Sequence, residues 1–398
     1  MRVLVFLILA LMVLPSSGRI FTNQKGEKLD ALLSEVKDDK VKLTLKGGRA
    51  YWVETKTLSR DDQFFVLAWI RAGERGGPKA QDALNQQDSL RAKENWDDRW
   101  PDAAKIDTNI LIKTVTEDEA KRRFVYHSPN YEFICDVKLA NQIVRKLALL
   151  FETTREYCRL LPIATMKAHI PGAIFRNRIY LFGSYQNYVR NGGPPNSAGV
   201  YMSRGNAGVV MAPLTSLGVR RKGDRFIHDN KGNNDVMPHE LTHQLTDSFY
   251  FQPGARGWFS EGLAEYVSAT PYQTGKFLVA NNIHAIKRDV TTRSKGKGRG
   301  RNLGNKIAAP DLKAYMLQSY QQFTRNANFN YGFGLLMTYY FFHLEEDRTN
   351  ITKFLKALRS GKTGEAALKE LRNGRTWDEL EEEITKAWKQ HGVVITFK

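Results

Sequence analysis

Apolar and polar residues alternate strictly along Val41-Lys42-Leu43-Thr44-Leu45, the period-two pattern of a strand with one buried face. Gly47-Gly48 follows as a turn and Tyr51-Trp52-Val53 opens another strand, so the first globular stretch is β-rich. Leu58, Phe65 and Trp69 recur around Ser59-Arg60-Asp61-Asp62, a start with capping side chains, and predict a helix at its end. Residues 72–106 are polar, with Gly76-Gly77-Pro78 and Gln86-Gln87, and few apolar positions recur at either period, so this stretch reads as a linker, in part helical. The pattern resumes at Asn109. Tyr131 to Cys135 reads as a strand, Ile143, Leu147, Leu150, Phe151 and Thr154 mark one face of a helix, and further strands fall at 179–182, 199–202 and 209–211. From Asp235 onward the pattern is mostly helical. Sheet first and helices after predicts an α+β domain with its site between the two parts. No repeat at solenoid periods interrupts it.

In the first stretch, Arg19-x-Phe21-Thr22, Gly26, Ala31, Val41-x-Leu43, Gly47-Gly48 and Leu58-Ser59-x-x-Asp62 resemble the SHD1 domain (Sla1 homology domain 1), a small SH3-like barrel. The resemblance covers residues 19–71 and implies a binding or spacer module. Its ligand does not carry over.

His239-Glu240-Leu241-Thr242-His243 holds the most chemistry. At about 100° per residue, two helical histidines at this spacing lie roughly 40° apart and one turn along, so both imidazoles reach one ion. Met237, Leu241, Leu245 and Phe249 give the helix a face to bury, Asp235 is placed to cap it, and Pro238 is tolerated near its start. A bare HExxH also arises by chance on plain surface helices. Trp258 to Tyr266 shifts that balance, because it reads as a second, capped helix bearing Glu261 eighteen positions after His243. Two histidines and one glutamate leave a fourth tetrahedral position for water, as a catalytic zinc needs, whereas a structural zinc takes four protein ligands.

The motif with Ser260-Glu261-Gly262-Leu263-Ala264-Glu265 resembles the gluzincin metallopeptidases. That resemblance implies His239, His243 and Glu261 as zinc ligands and Glu240 as the catalytic base. Glu265, one turn further on the same face, matches a carboxylate that orients a ligand histidine through its free ring nitrogen. A solvent-facing glutamate, or a ligand in place of Glu261, are its other readings. Tyr331-Gly332-Phe333-Gly334 before Leu335 to Phe342 resembles the helix start that places a transition-state tyrosine in the aminopeptidase branch, where a phenol would hydrogen-bond an oxyanion. The competing reading is a core tyrosine, and His343 reads as structural. The Gly-x-Met-Glu-Asn segment of that branch is missing, which puts aminopeptidase activity in doubt, while a strand at 199–202 suits pairing with an extended peptide.

The wider region, from Ser128-Pro129-x-Tyr131 through Gly192-Gly193-Pro194-Pro195 and Ser197 to Tyr201 as far as Trp377-x-x-Leu380-Glu381, resembles exported peptidase-MA-like proteins. For residues 107–398 it implies a zincin-like domain with a mixed-sheet subdomain and a helical subdomain.

Composition adds three points. Arg2, the apolar run Val3 to Leu14 and small residues at Ser16 and Gly18 form a secretory signal over residues 1–18; twelve apolar residues fall short of the roughly 20 that span a bilayer. No later segment is apolar enough to span, so the mature chain is expected to be periplasmic, cell-surface or extracellular, without a transmembrane helix. Cys135 and Cys158 are the only cysteines, which excludes a disulfide framework and leaves open one bridge or two buried thiols. The net charge of +18 favours anionic surroundings such as a cell-surface polymer. Its densest run, Lys287 to Lys306, holds Arg293, Lys295, Lys297, Arg299 and Arg301 without interleaved aromatics, so it reads as a solvated loop and not as a specific nucleic-acid site.

The expected function is hydrolysis of peptides or proteins by a zinc-activated water. Two rivals are a non-catalytic surface scaffold whose SHD1-like module binds a partner beside a vestigial or structural metal site, and a polyanion binder resting on charge alone.

Overall fold

The computed structural model describes residues 18–85, 95–172, 175–203, 208–228, 236–292, 300–346 and 348–398. The expected secretory signal, apart from Gly18, lies outside the described residues, as do Asp235 and the basic residues from Arg293 to Arg299. Two units divide the chain, residues 1–88 and 89–398.

In the first unit, β1 (Arg19–Thr22), β2 (Lys28–Lys37), β3 (Lys40–Thr44) and β4 (Ala50–Glu54) form an antiparallel meander in chain order. The alternation at 41–45 does what it predicts: Val41 and Leu43 are buried with Phe21, Ala31 and Leu33. Helix α1 (Arg60–Asn85) adds Phe65 and Trp69 to that core. The Asp62 carboxylate accepts from Arg19 Nε at 2.8 Å and from Thr22 N at 2.7 Å, which fastens the first strand to the helix start.

Two expectations need correction here. The barrel is not closed, because β1 and β4 do not pair; after a short turn at Thr55–Thr57, one bridge between Asn23 and Leu58 returns the chain to β1. Residues 72–85, expected as part of a linker in part helical, are helical apart from Gly77 and continue α1, with Ala72 and Leu84 buried. The helix is broken at Gly77, whose φ is 63°, next to Pro78, which lacks an N–H and clashes with the preceding turn. That local break and the polar composition blur the helical period, so the sequence shows only that the stretch is helical in part.

The second unit takes up the rest of the expected linker from Asn95. Buried Asn95 donates from Nδ2 to Leu161 O and accepts from Ala164 N, both at 2.8 Å, and β5 (Ala103–Lys105) follows. The main sheet comes from β6 (Lys113–Asp118), β7 (Arg123–His127), β8 (Tyr131–Cys135), helix α2 (Asn141–Leu160), β9 (Asn177–Phe182), α3 (Tyr185–Arg190), β10 (Val200–Met202) and β11 (Val209–Pro213). Its order is β10-β11-β9-β8-β7-β6. The neighbours β8, β9 and β11 are parallel, and β10 runs antiparallel to β11 with its other edge unpaired among the described residues. The five predicted face residues of α2 are all buried.

A hairpin of β12 (Val219–Lys222) and β13 (Arg225–His228) precedes α4 (Val236–Leu245) and α5 (Trp258–Ala269). β14 (Tyr272–Gln273) pairs with β15 (Lys276–Leu278), which pairs in turn with β5. Then come α6 (Ile283–Thr291), β16 (Lys306–Ala309), α7 (Leu312–Leu317), α8 (Tyr320–Arg325), α9 (Ala327–Tyr339), a π-helical turn at Tyr340–Leu344, α10 (Thr349–Arg359), α11 (Gly364–Arg372), α12 (Trp377–Gln390) and β17 (Val394–Phe397), which pairs with β16. The unit is thus α+β, with a mixed sheet and a mostly helical second half. No described helix is long and apolar enough to cross a membrane. Both cysteines are free and buried.

Helices α5 and α9 meet backbone to backbone. A Cβ on Gly262 would lie 2.4 Å from the Gly334 carbonyl oxygen and 2.3 Å from Thr338 Oγ1, and one on Gly334 would lie 2.9 Å from the Trp258 carbonyl oxygen. Only glycines permit that approach.

Candidate metal centre

Helix α4 buries Met237, Leu241 and Leu245 completely, so its opposite edge presents His239, Glu240 and His243. Gln244 Nε2 donates to Arg178 O at 3.1 Å and ties the helix to the sheet. The helix stops at Leu245; Phe249, expected on it, is buried from a separate turn at Ser248–Phe251. The start of α5 depends on Gly257, at φ 99°, whose N–H donates to Ser260 Oγ at 3.0 Å. A Cβ there would meet the Phe323 ring at 2.8 Å. This start places Glu261 in the first turn of α5, across from the histidines.

Three ligand-type atoms converge. His243 Nε2 lies 3.1 Å from His239 Nε2 and 3.1 Å from Glu261 Oε2, and His239 Nε2 lies 3.3 Å from the same oxygen. A tetrahedral ion with bonds of about 2.0–2.1 Å spaces its ligands by roughly 3.3 Å, so the triangle has the edges of a tetrahedral zinc site. The side chains are only 12%, 9% and 5% exposed, in the order His239, His243, Glu261. Lone pairs of three buried acceptors pointing at one another repel unless a cation sits among them, and a single proton serves only two of the three. Among the described residues this is the one group of His, Cys, Asp and Glu spaced to hold a metal ion. The residues present therefore fit a divalent ion.

A supporting layer surrounds them. His239 Nδ1 lies 3.0 Å from Glu265 Oε1, so Glu265 faces the histidine and neither the solvent nor the place of Glu261. Arg301 holds Glu265 in turn, with Nη2 to Oε1 at 2.5 Å and Nε to Oε2 at 3.3 Å. Burial opposes charge on His239, but hydrogen bonds to Glu261 and Glu265 overcome it and raise the imidazole to about 10 in the metal-free chain. Burial likewise works to raise both glutamates, yet His243 and His239 hold Glu261, and Arg301 and His239 hold Glu265, below the usual carboxylate range. His243 differs: its Nδ1 is buried without a hydrogen-bond partner among the described residues.

Glu240 Oε2 accepts from Tyr201 N at 2.6 Å, which sets the carboxylate against the edge strand β10. Tyr331 lies in the second turn of α9, not at the start of its helix as expected. Its ring stacks on His239 at 5.8 Å and 26°, with the Arg301 guanidinium 4.9 Å from its centroid. Burial, reinforced by the charge of Glu261, pushes its phenol well above 10 and keeps it a neutral donor. Tyr320 also reaches the site and donates to Glu261 Oε1 at 3.2 Å. Sequence reasoning missed Tyr320 and read Arg301 as part of a solvated run. Nothing local separates Arg301 from its basic neighbours, and a Ser319 cap was the only signal near Tyr320.

His343 stays outside the centre, bonded to Tyr266 OH at 2.9 Å. Burial first, and then Arg348, depress its pKa to about 4. The unfolded histidine titrates near about 6.5, so between that value and 4 the unfolded chain binds a proton that the folded chain refuses, and stability falls as pH falls. Asp247, raised to about 6 by burial, acts in the opposite sense over part of that window. Thermal unfolding of the metal-free parent and a His343→Gln variant from pH 7.5 to 4.5 is therefore expected to show a shallower acid-side loss in the variant. Parallel curves would disprove it.

No family model, no curated protein and no solved structure gives a significant match to the chain.

Proposed function

We propose that the chain is an exported zinc-dependent peptidase of gluzincin type, with residues 107–398 as a zincin-like domain and residues 19–71 as a binding or spacer module of SHD1 type. The observation that carries this reading is the buried triangle of His239 Nε2, His243 Nε2 and Glu261 Oε2, with 3.1–3.3 Å edges, beside a carboxylate from the same helix turn. A zinc ion held there would polarise the scissile carbonyl and acidify a bound water at neutral pH.

Glu240 takes the proton of the attacking water and passes it to the leaving amine, and the Tyr201 N–H at 2.6 Å holds its carboxylate in the resting chain. Glu265 keeps His239 in the tautomer that presents Nε2. The neutral phenol of Tyr331 donates to the oxyanion that develops on the substrate. The open edge of β10 offers backbone groups to an extended peptide. The basic surface implied by the +18 charge suits an anionic cell-surface polymer near the substrate.

The test uses the purified chain. Elemental analysis is expected to return stoichiometric zinc, and cleavage of a denatured-protein mixture should stop with a chelator and return with zinc. A chain that retains no divalent metal, or that cleaves equally well in chelator, defeats the proposal.

A further inference from the structure

The two oxygens of Glu261 have different partners. Oε2 faces both imidazoles at 3.1 and 3.3 Å, whereas Oε1 accepts from Tyr320 OH at 3.2 Å. A carboxylate this deeply buried cannot turn its second oxygen to solvent, so without Tyr320 that oxygen is left unpaired or rotates toward the metal position. Tyr320 is itself held firmly. It opens α8, whose start is capped by Ser319, with Gln322 N donating to Ser319 Oγ at 3.3 Å and Ser319 N to Gln322 Oε1 at 2.8 Å. Its ring stacks parallel to Phe323, at 6.3 Å and 7°, and the guanidinium of exposed Arg256 lies 4.6 Å from its centroid. A cation over the ring draws on its electron density and strengthens the phenol as a donor. An ordinary phenol, with a pKa of about 10, carries its proton at neutral pH and so donates to Glu261 Oε1 here. Of the other groups at the site, Glu240 is engaged on Tyr201 N and Arg301 on Glu265, while the Tyr331 phenol bonds to that of Tyr320.

We infer that Tyr320 is a positioning residue for the metal centre, occupying Glu261 Oε1 so that the carboxylate binds through Oε2 alone and one coordination place stays open for the reacting water. The role rests on the metal reading above. A glutamate with both oxygens free can chelate an ion through both, which raises the coordination number and crowds the open place that a catalytic site needs.

Cobalt(II) loaded into the metal-free full-length chain reports coordination number by its visible absorption, independently of turnover. Parent, Tyr320→Phe and Tyr331→Phe are compared, with metal affinity from competition against a chromophoric chelator. Phenylalanine keeps the ring and its stacking on Phe323, so the Tyr320 variant folds. Expected are the intense bands of four-coordinate cobalt in the parent and in Tyr331→Phe, and weakened bands in Tyr320→Phe with kcat lowered about 10- to 100-fold and KM little changed. A Tyr320→Phe spectrum identical to that of a cobalt-binding parent overturns this role and leaves the metal centre standing. Equal weakening in both variants also overturns it, because the effect then belongs to the pair of phenols. A parent that binds no cobalt removes the metal centre and this role together.

Discussion

Replacing Glu240 with glutamine is expected to leave zinc content unchanged while kcat for peptide hydrolysis falls by about 10²- to 10⁴-fold, the usual contribution of a general base. The separation follows from where the side chain sits. Glu240 bonds to Tyr201 N and makes none of the three edges of the metal triangle, so a neutral amide keeps an oxygen for the Tyr201 N–H and the helix keeps its geometry. What the amide cannot do is accept a proton from water. Elemental analysis and initial rates on the same preparation decide the matter, and a variant as fast as the parent would remove Glu240 from the mechanism.

The second large effect distinguishes two glutamates one turn apart. Glu261→Ala removes one of three converging atoms, and metal retention in a chelator titration should collapse. Glu265→Ala removes only the acceptor on His239 Nδ1, and affinity should fall by about 10- to 100-fold, as for other supporting residues of metal sites. It also leaves Arg301 without the carboxylate it grips at 2.5 Å, so the folded state should lose stability as well as metal. If instead Glu265→Ala empties the site and Glu261→Ala does not, the two residues exchange roles.

The parts of this molecule that were legible in its sequence are those written at short range. Strands β3, β8, β9 and β11, and helices α2 and α5, announce themselves because apolar residues recur at the period of the element that buries them, whereas β4 and β10, none of whose residues is fully buried, show through their β-branched and aromatic residues. β6 escaped notice because its residues alternate between exposed and half-buried, with no apolar face to read. The open sheet of the first unit was read as a barrel because closure depends on whether distant edges meet, which no local period encodes. The site divides the same way. His239, Glu240 and His243 share one helix, and Glu261 and Glu265 share the next, so two short motifs bring five side chains into view. Arg301 and Tyr320 arrive from 36 and 59 positions beyond the glutamates they bind, on elements whose own sequences carry no mark of the destination.

The glycine contact between α5 and α9 bears on how such a centre keeps its tolerances. Glu261 and Glu265 ride on one helix and Tyr331 on the other, and where Gly262 faces Gly334 no rotamer lies between the two main chains. The gap from carboxylate to phenol is therefore gauged by peptide groups, which neither swap conformers nor change volume when core residues are exchanged. Substitutions elsewhere in the helical half can alter how long the protein survives heat while leaving that spacing as it was.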